Sequence, residues 1–401
     1  MSSHDPRPAV HVSLSHYHPH PGMAHAGGEY VCRHLAAMSR ERTVTAFVSA
    51  DRPGEHSLAD PVVDTVVIDR PRWGRTLVVR ALRLAGRRWN PSSVGFDVRW
   101  SFSRSPELRH AIRHADTVEF QFFEQCWAIG MARRWNPSAR TVAVVHDVVS
   151  QRLERQLDEL SPRGVRRYAL MLRLGAFRRR ERKLLSRFDA VTVFSEKDRQ
   201  LLVDGGVGTE IYVLRIPLAD ESVGQRAPQA GNVLFVGAFD RIENSEAALW
   251  LLDEIWPRVH AQFPNASLTL AGANPTAAMS TAALRRSEVE ITGYVPDLAE
   301  LYRRASIVVV PLRQGAGVKF KTVMALLWGV PMVSTSVGVE GVPMPEPFAL
   351  VADDAEEFAD LVGVALAGEW DRAAEMGRAW AASHYSQEAF ESDLAAAMGM
   401  G

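Results

Sequence analysis

The sequence predicts an α/β protein made of two Rossmann-like domains in tandem, and three observations carry that expectation. Short β-branched runs alternate with helical patterns along the whole chain, the signature of parallel sheets with crossover helices. The length, 401 residues, suits about two domains, each able to bury a core without disulfide staples. A stretch mixing Pro, Gly, Ser and charge, Pro217 to Gln229, interrupts the alternation before it restarts.

In the first half, strands are expected at AVHVSLS (9–15), TVTAFVS (43–49), VVDTVVID (62–69), TVEFQFFE (117–124), TVAVVHD (141–147), AVTVFS (190–195) and IYVLRI (211–216). The second half offers VLFVGAF (233–239), SLTLAG (267–272), VEITGYV (289–295), SIVVVPL (306–312), PMVSTS (331–336) and ALVAD (349–353). Helical spacing of apolar residues fills the gaps at 246–262, 297–304, 317–328 and 354–367, and an alanine-rich tail helix is expected over 371–398. The expected organisation is a first domain over 1–216, a linker over 217–230, a second domain over 231–370 and tail helices over 371–401. Ligands in open parallel sheets bind beyond the carboxyl ends of the strands, which places the expected site in a cleft between the two domains.

Hydrophobic residues make up 47% and charged residues 23%, which excludes a disordered or fibrous chain. Two cysteines, Cys32 and Cys126, exclude a disulfide framework or a Cys-rich zinc site and fit a reducing cytoplasm. There is no run of 18 apolar residues and no basic stretch leading an apolar core at the N-terminus, so the expectation is a protein neither integral nor exported by that route. The net charge of −1 hides a split: residues 231–401 hold 11 Lys+Arg against 22 Asp+Glu, and residues 1–230 hold 35 against 25. The basic half favours an anionic partner.

The strongest motif is GAGVKFKTVMALLWGVP, residues 315–331. It follows an apolar strand, supplies a loop (Gly315, Ala316, Gly317, Val318) and opens a helix. Free N–H groups at a helix start, with Lys319 and Lys321 as point charges, make an anion cradle. A tight turn followed by two solvated lysines is the alternative reading of the same residues.

With VLFVGAF, VEITGYVPDLAELYRRASIVVVPL and GVEG (338–341), this stretch resembles the C-terminal domain of family-four glycosyltransferases of the GT-B fold. The order and spacing match over about 110 residues, and weaker motifs extend the likeness over nearly the whole chain. The resemblance implies a retaining, hexosyltransferase-type enzyme that uses a nucleotide sugar and no divalent metal or other cofactor. It implies that Gly27 and Gly28, between the first strand and first helix, let the donor approach the backbone, although glycine there also serves geometry alone. His146, at the end of TVAVVHD, would contact the donor sugar; alternatively it is a strand-end histidine with Asp147 capping the next helix. Ser195, Glu196 and Asp198 match a family pattern but read equally as a helix cap.

Three departures stand out. Met324 replaces a family Glu that contacts the ribose, and Ala316 replaces one that meets the sugar; neither side chain accepts hydrogen bonds from hydroxyls. The family Arg after the opening glycine of the second domain is also missing: the residues are Gly237, Ala238, Phe239, Asp240 and Arg241. Phosphate neutralisation would then fall to Arg241, Lys319 and Lys321. In the implied mechanism the leaving diphosphate accepts the acceptor's proton, and Lys319, Lys321, Gly27 and Gly28 surround the charge that develops. A chain that keeps the fold and partners another transferase without turnover is the alternative.

The run from Ser161 to Phe188 carries ten Lys+Arg against one Glu. Leu170, Leu174 and Phe177 share one helical face that packs inward, leaving arginines outside as a solvated face or, over residues 163–187, as a peripheral contact with anionic membrane. The acceptor is then a glycan, a lipid-linked group or a small molecule. Nucleic acid is disfavoured, since no recognition helix or aromatic platform accompanies the charge.

Overall fold

The computed structural model describes residues 8–16, 18–20, 26–49, 61–76, 78–79, 94–158, 164–219, 224–344 and 347–399. Residues 21–25 ahead of the first helix, 220–223 of the expected linker and 161–163 of the basic run lie outside them. The chain divides into two units, one comprising 1–214 with 391–401 and the other 215–390.

The first unit is built on β1 (Ala9–Ser15), β2 (Arg42–Ser49), β3 (Asp64–Ile68), β4 (Thr117–Gln121), β5 (Arg140–Val144), β6 (Ala190–Val193) and β7 (Ile211–Val213). All pairs are parallel, in the order β3-β2-β1-β4-β5-β6-β7. The order reverses at β1/β4, which opens a crevice at their carboxyl ends. Val12, Leu14, Val118, Phe120, Ala143, Val191 and Val193 are buried in the core, as near-continuous apolar strands covered on both faces must be. Of the basic run, Leu174 and Phe177 are buried and Leu170 packs against them, all on the Val165–Leu185 helix.

The second unit repeats the plan with β8 (Asn232–Val236), β9 (Ser267–Ala271), β10 (Val289–Gly293), β11 (Ile307–Val310), β12 (Met332–Ser334) and β13 (Leu350–Val351), ordered β10-β9-β8-β11-β12-β13. Its switch point is β8/β11. Asp354 caps the Ala355–Leu366 helix by accepting from the Glu356 and Glu357 amides, with both carboxylates in the positive first turn.

Several boundaries differ from those expected. Strands stop two or three residues early, β5 at Val144 rather than Asp147 and β11 at Val310 rather than Leu312, because the chain turns over the sheet edge into the loops of the crevice. The helix expected over 246–262 starts at Ile242, and a π turn over Leu251–Ile255 divides it ahead of Pro257. The helix expected over 317–328 spans Phe320–Leu327, so Gly317, Val318 and Lys319 remain loop.

The described part of the expected linker is fastened to the second unit. The Leu218 and Ala219 amides donate to the Tyr385 carbonyl, Ala227 and Gln229 donate to Arg303 and Arg304, and the Arg226 guanidinium donates to the Gly329 and Ala305 carbonyls. The tail is two helices, Asp371–His384 and Gln387–Met398. The first packs within the second unit, with Gly377 against Phe348 and Leu326. From Glu391 onward the chain rejoins the first unit: Arg140 donates to the Ala397 carbonyl and Arg40 pairs with Glu391 at 2.6 Å. Leu394 and Met398 are buried there, each contributing roughly 1.5–3 kcal/mol.

Candidate functional site

In the second unit, chemistry gathers at the carboxyl ends of β8, β9, β11 and β12. The β11 loop is shaped by Gly315 at φ +132° and Gly317 at φ +68°, conformations that L side chains rarely adopt. It ends at Lys319, which occupies the cap position of the Phe320–Leu327 helix without a side-chain cap. The orphan amides of that first turn therefore lack a capping oxygen from Lys319 itself.

Neither lysine is a solvated helix-start residue. Lys319 is 9% exposed; its Nζ donates to the Gly317 carbonyl at 2.5 Å and lies 3.9 Å from Glu340 of the GVEG stretch. Lys321 donates to Asn244 Oδ1 at 2.6 Å and sits over the Phe235 ring at 4.9 Å, so it spans the switch point from the β11 side to the β8 side. Burial, then the Lys319 charge, pull the Lys321 ammonium down to about 7, with Glu243 opposing the shift and Arg241 adding to it. The Lys319 charge disfavours the Lys321 ammonium, and an anion bound beside them would relieve it.

The backbone around them is tight. A Cβ on Gly237 would lie 2.9 Å from Asn244 Cγ, and one on Gly272 would lie 1.7 Å from the Gly237 carbonyl oxygen. A Cβ on Gly338, the first glycine of GVEG, would meet Ser334 Oγ at 2.2 Å and the Val310 carbonyl oxygen at 2.6 Å. Thr322 donates to the Gly338 carbonyl, tying the lysine-bearing helix to that turn. Arg241 precedes the Ile242–Trp250 helix and pairs with Glu243 at 3.0 Å. Met324 is half-buried on the Phe320–Leu327 helix. Gly237, Arg241, the 315–318 loop, Lys319, Lys321 and Met324 thus occupy one end of one sheet and the helices leaving it. Asn244 and Glu340 join them, and neither was singled out from sequence. Asn244 stands seven positions after the opening glycine, but its burial is visible only in the structure.

In the first unit the expected residues are His146, Gly27 and Gly28. Gly27 and Gly28 do not form a turn between strand and helix; they lie in the first turn of the Ala26–Met38 helix, which also carries Tyr30 and His34. His146 follows β5, and its Nε2 lies 3.0 Å from Gln121 Oε1 at the end of β4. Phe122 stacks on its ring at 3.7 Å, while Tyr30 and Phe194 meet it edge-on at 5.1 and 5.0 Å. Phe122 reaches that position from φ +69°, an outlying conformation for a bulky side chain.

Beneath His146 runs a buried polar chain that sequence reasoning missed. Gln121 Nε2 donates to Glu119 Oε1 at 2.5 Å, and Ser13 Oγ donates to the same oxygen at 3.0 Å. Glu119 Oε2 is 2.5 Å from His34 Nε2 and 3.5 Å from His11 Nε2, and His34 Nδ1 meets the Tyr30 hydroxyl at 2.9 Å. Burial alone would raise the Glu119 carboxyl, but the His34 charge and the bonds from His11 and His34 hold it well below the usual range. The signal was present: Glu119 and Gln121 share one face of β4 with Thr117, as His11, Ser13 and Ser15 share one of β1, while the opposite faces are apolar. Ser195, by contrast, caps its helix, accepting from the Asp198 amide.

Comparison with known proteins follows this division. Residues 230–367 match the model of the family described as glycosyl transferases group 1. Over those residues the second unit is similar to that family. An uncharacterized 44.6 kDa protein in the cps region of Klebsiella pneumoniae is 30% identical over 118 residues, 27% of this chain and 30% of that relative's length. Solved structures extend the likeness over the whole chain as fold. Anabaena HepE, crystallised with UDP and glucose, superposes with TM-score 0.68 at 12% identity, covering 98% of this chain and all of that one. Sucrose-phosphate synthase from Thermosynechococcus elongatus gives 0.66 at 18% identity over 96% and 98%. Trehalose 6-phosphate synthase from Burkholderia multivorans gives 0.64 at 12% identity over 98% of each chain. The chain therefore has the GT-B fold. Among the described residues no helix is long and apolar enough to cross a membrane.

Proposed function

We propose that the protein transfers a hexose from a nucleotide sugar to an acceptor with retention of anomeric configuration and without a divalent metal. The observation that carries this reading is the Lys319–Lys321 pair at the switch point, two lysines held at the start of the Phe320–Leu327 helix by Gly317 and Asn244. In the step proposed, the bond from the sugar's anomeric carbon to the diphosphate oxygen breaks and a bond to the acceptor oxygen forms on the same face. The acceptor proton passes to the departing phosphate oxygen. The lysines stabilise the charge that develops there, the role a metal ion plays elsewhere. His146 would contact the donor sugar, and Gly27, Gly28, Gly237, Arg241, Gly315, Ala316, Gly317, Val318 and Met324 would line the donor. Because HepE was crystallised with UDP and glucose, uridine nucleotides lead the donor panel.

The test is sugar transfer or donor hydrolysis by the pure protein, with and without EDTA, across UDP-, GDP- and dTDP-sugars. Transfer abolished by EDTA would remove the metal-free mechanism. A second reading rests on Met324: without the carboxylate expected there, the chain would be a silent partner of another transferase. Met324→Glu separates the two. A donor affinity raised tenfold or more marks a lost contact, whereas an unchanged affinity together with turnover in the parent marks a rebuilt ribose pocket.

The acceptor side rests on a feature of the Val165–Leu185 helix. Its outer face is not purely charged: Tyr168, Met171 and Leu172, spaced three and four apart, are 65, 51 and 60% exposed, with Arg166, Arg179 and Arg180 exposed on the same helix. An apolar stripe set among arginines suits an anionic bilayer surface and hence a lipid-linked acceptor. Flotation with vesicles rich in anionic lipid is expected to carry the protein upward, and Met171→Glu with Leu172→Glu to abolish it. Equal behaviour with zwitterionic vesicles would discard the membrane contact.

A further inference from the structure

Within the site just proposed, we infer that Gln121 and Glu119 are positioning residues that hold His146 with its proton on Nε2. The inference rests on the placement of His146 at the donor for its importance, but not for its geometry. A carboxylate only accepts hydrogen bonds, so the Gln121 group at 2.5 Å from Glu119 Oε1 is the amide nitrogen. That leaves Gln121 Oε1 facing His146 Nε2 at 3.0 Å, and because an amide oxygen also only accepts, Nε2 must carry the hydrogen. Nδ1 is consequently the ring atom that accepts a hydrogen bond or takes up a proton.

The chain is anchored from below as well. Glu119 is fully buried and is held by Ser13 from β1 and by His34 from the first helix, so the amide cannot rotate without breaking a charged hydrogen bond. Ring orientation is fixed separately, by Phe122 stacked on one face and by the edges of Tyr30 and Phe194. The left-handed backbone at Phe122 is what turns that ring back over His146 from the residue directly after Gln121. Two successive residues at the end of β4 therefore set the tautomer and the tilt of one histidine on the neighbouring strand end. A histidine serving only as core filling does not require this.

Histidine-selective 15N and 13C labelling reads the tautomer directly, with the His146 signal assigned by its loss in His146→Asn. The expected result is a single neutral form protonated at Nε2. In Gln121→Leu, which removes the acceptor, the signal should become a mixture of tautomers, and in the transfer assay kcat should fall about tenfold with KM little changed. Phe122→Gly, whose backbone suits φ +69°, keeps Gln121 and should keep the tautomer while the ring loses its fixed tilt. A wild-type His146 protonated at Nδ1, or an unchanged tautomer in Gln121→Leu, overturns the inference. Should Gln121→Leu fail to fold, the wild-type spectrum and Phe122→Gly still decide. The expected tautomer in a protein that transfers no sugar would leave the positioning intact and remove the proposed activity instead.

Discussion

Replacing Lys321 with Gln is expected to weaken nucleoside diphosphate binding by about ten- to a hundredfold while making the unliganded protein more resistant to heat at neutral pH. The two effects have one cause. Lys321 lies against Phe235 and Asn244 with Lys319, Arg241 and Glu243 around it, and burial with the Lys319 charge leaves its ammonium at about 7. The unfolded chain keeps that proton to the ordinary lysine value, so between pH 7 and about 10 the unfolded state binds more protons and unliganded stability rises with pH. A bound diphosphate reverses the preference, because the charged form now has a partner. At pH 8, therefore, binding should take up close to one proton, seen as a calorimetric heat that depends on the ionisation enthalpy of the buffer, and affinity should decline as pH rises above 7. Lys319→Ala should also weaken binding, but it additionally frees the Gly317 carbonyl and so loosens the loop. Buffer-independent heats together with unchanged affinity in both variants would remove the cradle from this end of the sheet.

Gly272→Ala is expected to be the most damaging single methyl in the second unit, costing roughly 3–4 kcal/mol in denaturant unfolding. Its Cβ would sit 1.7 Å from the Gly237 carbonyl oxygen, which is backbone and has no rotamer to yield, and the residue is at φ +153°. Relief requires the loops after β8 and β9 to separate. Those loops bring Asn244 to Lys321, so whatever folded protein remains should also bind nucleotide poorly. Gly175→Ala, where a Cβ meets nothing within 4 Å, is the matched control and should be neutral or slightly stabilising. Equal midpoints for the two variants would show that the close approach is not fixed.

Much of this architecture was legible because β-branched runs alternate with helical spacing regardless of what the site does. Each strand expected from sequence has its counterpart among β1–β13, and the inward face of the basic helix follows from Leu170, Leu174 and Phe177. Sequence misjudged the places where the backbone changes state over a strand end. Val145 and Leu312 look as apolar as the strands before them, yet the chain has already turned over the sheet edge when it reaches them, while Asp147 and Pro311 are residues that strands disfavour. Gly27 and Gly28 were misplaced for the opposite reason, since glycine suits a turn and its acceptance in a first helical turn leaves no mark. The site lysines were legible as types and not as environments: nothing in GAGVKFK announces that Lys319 is nearly buried or that Lys321 reaches Asn244, 77 positions away. The Glu119–Gln121–His146 chain needs β4 and β5 in register, which a linear reading supplies only as an unexplained polar face on one strand.

The return of residues 391–401 to the first unit makes the second unit an insertion within the first. During synthesis, β1 through β7 leave the ribosome long before the segment that completes their unit, and all of 215–390 is made in between. Until Ala397 arrives, Arg140 lacks the carbonyl it holds in the finished protein, and the surface that covers Leu394 and Met398 stays open. The early-made unit thus waits on the late-made one, an ordering in time that gives a nascent-chain chaperone its longest opportunity at the strand-end face near Arg140. The same nesting means that a fragment cut after Leu214 is an unfinished domain, while residues 215–390 form an uninterrupted one.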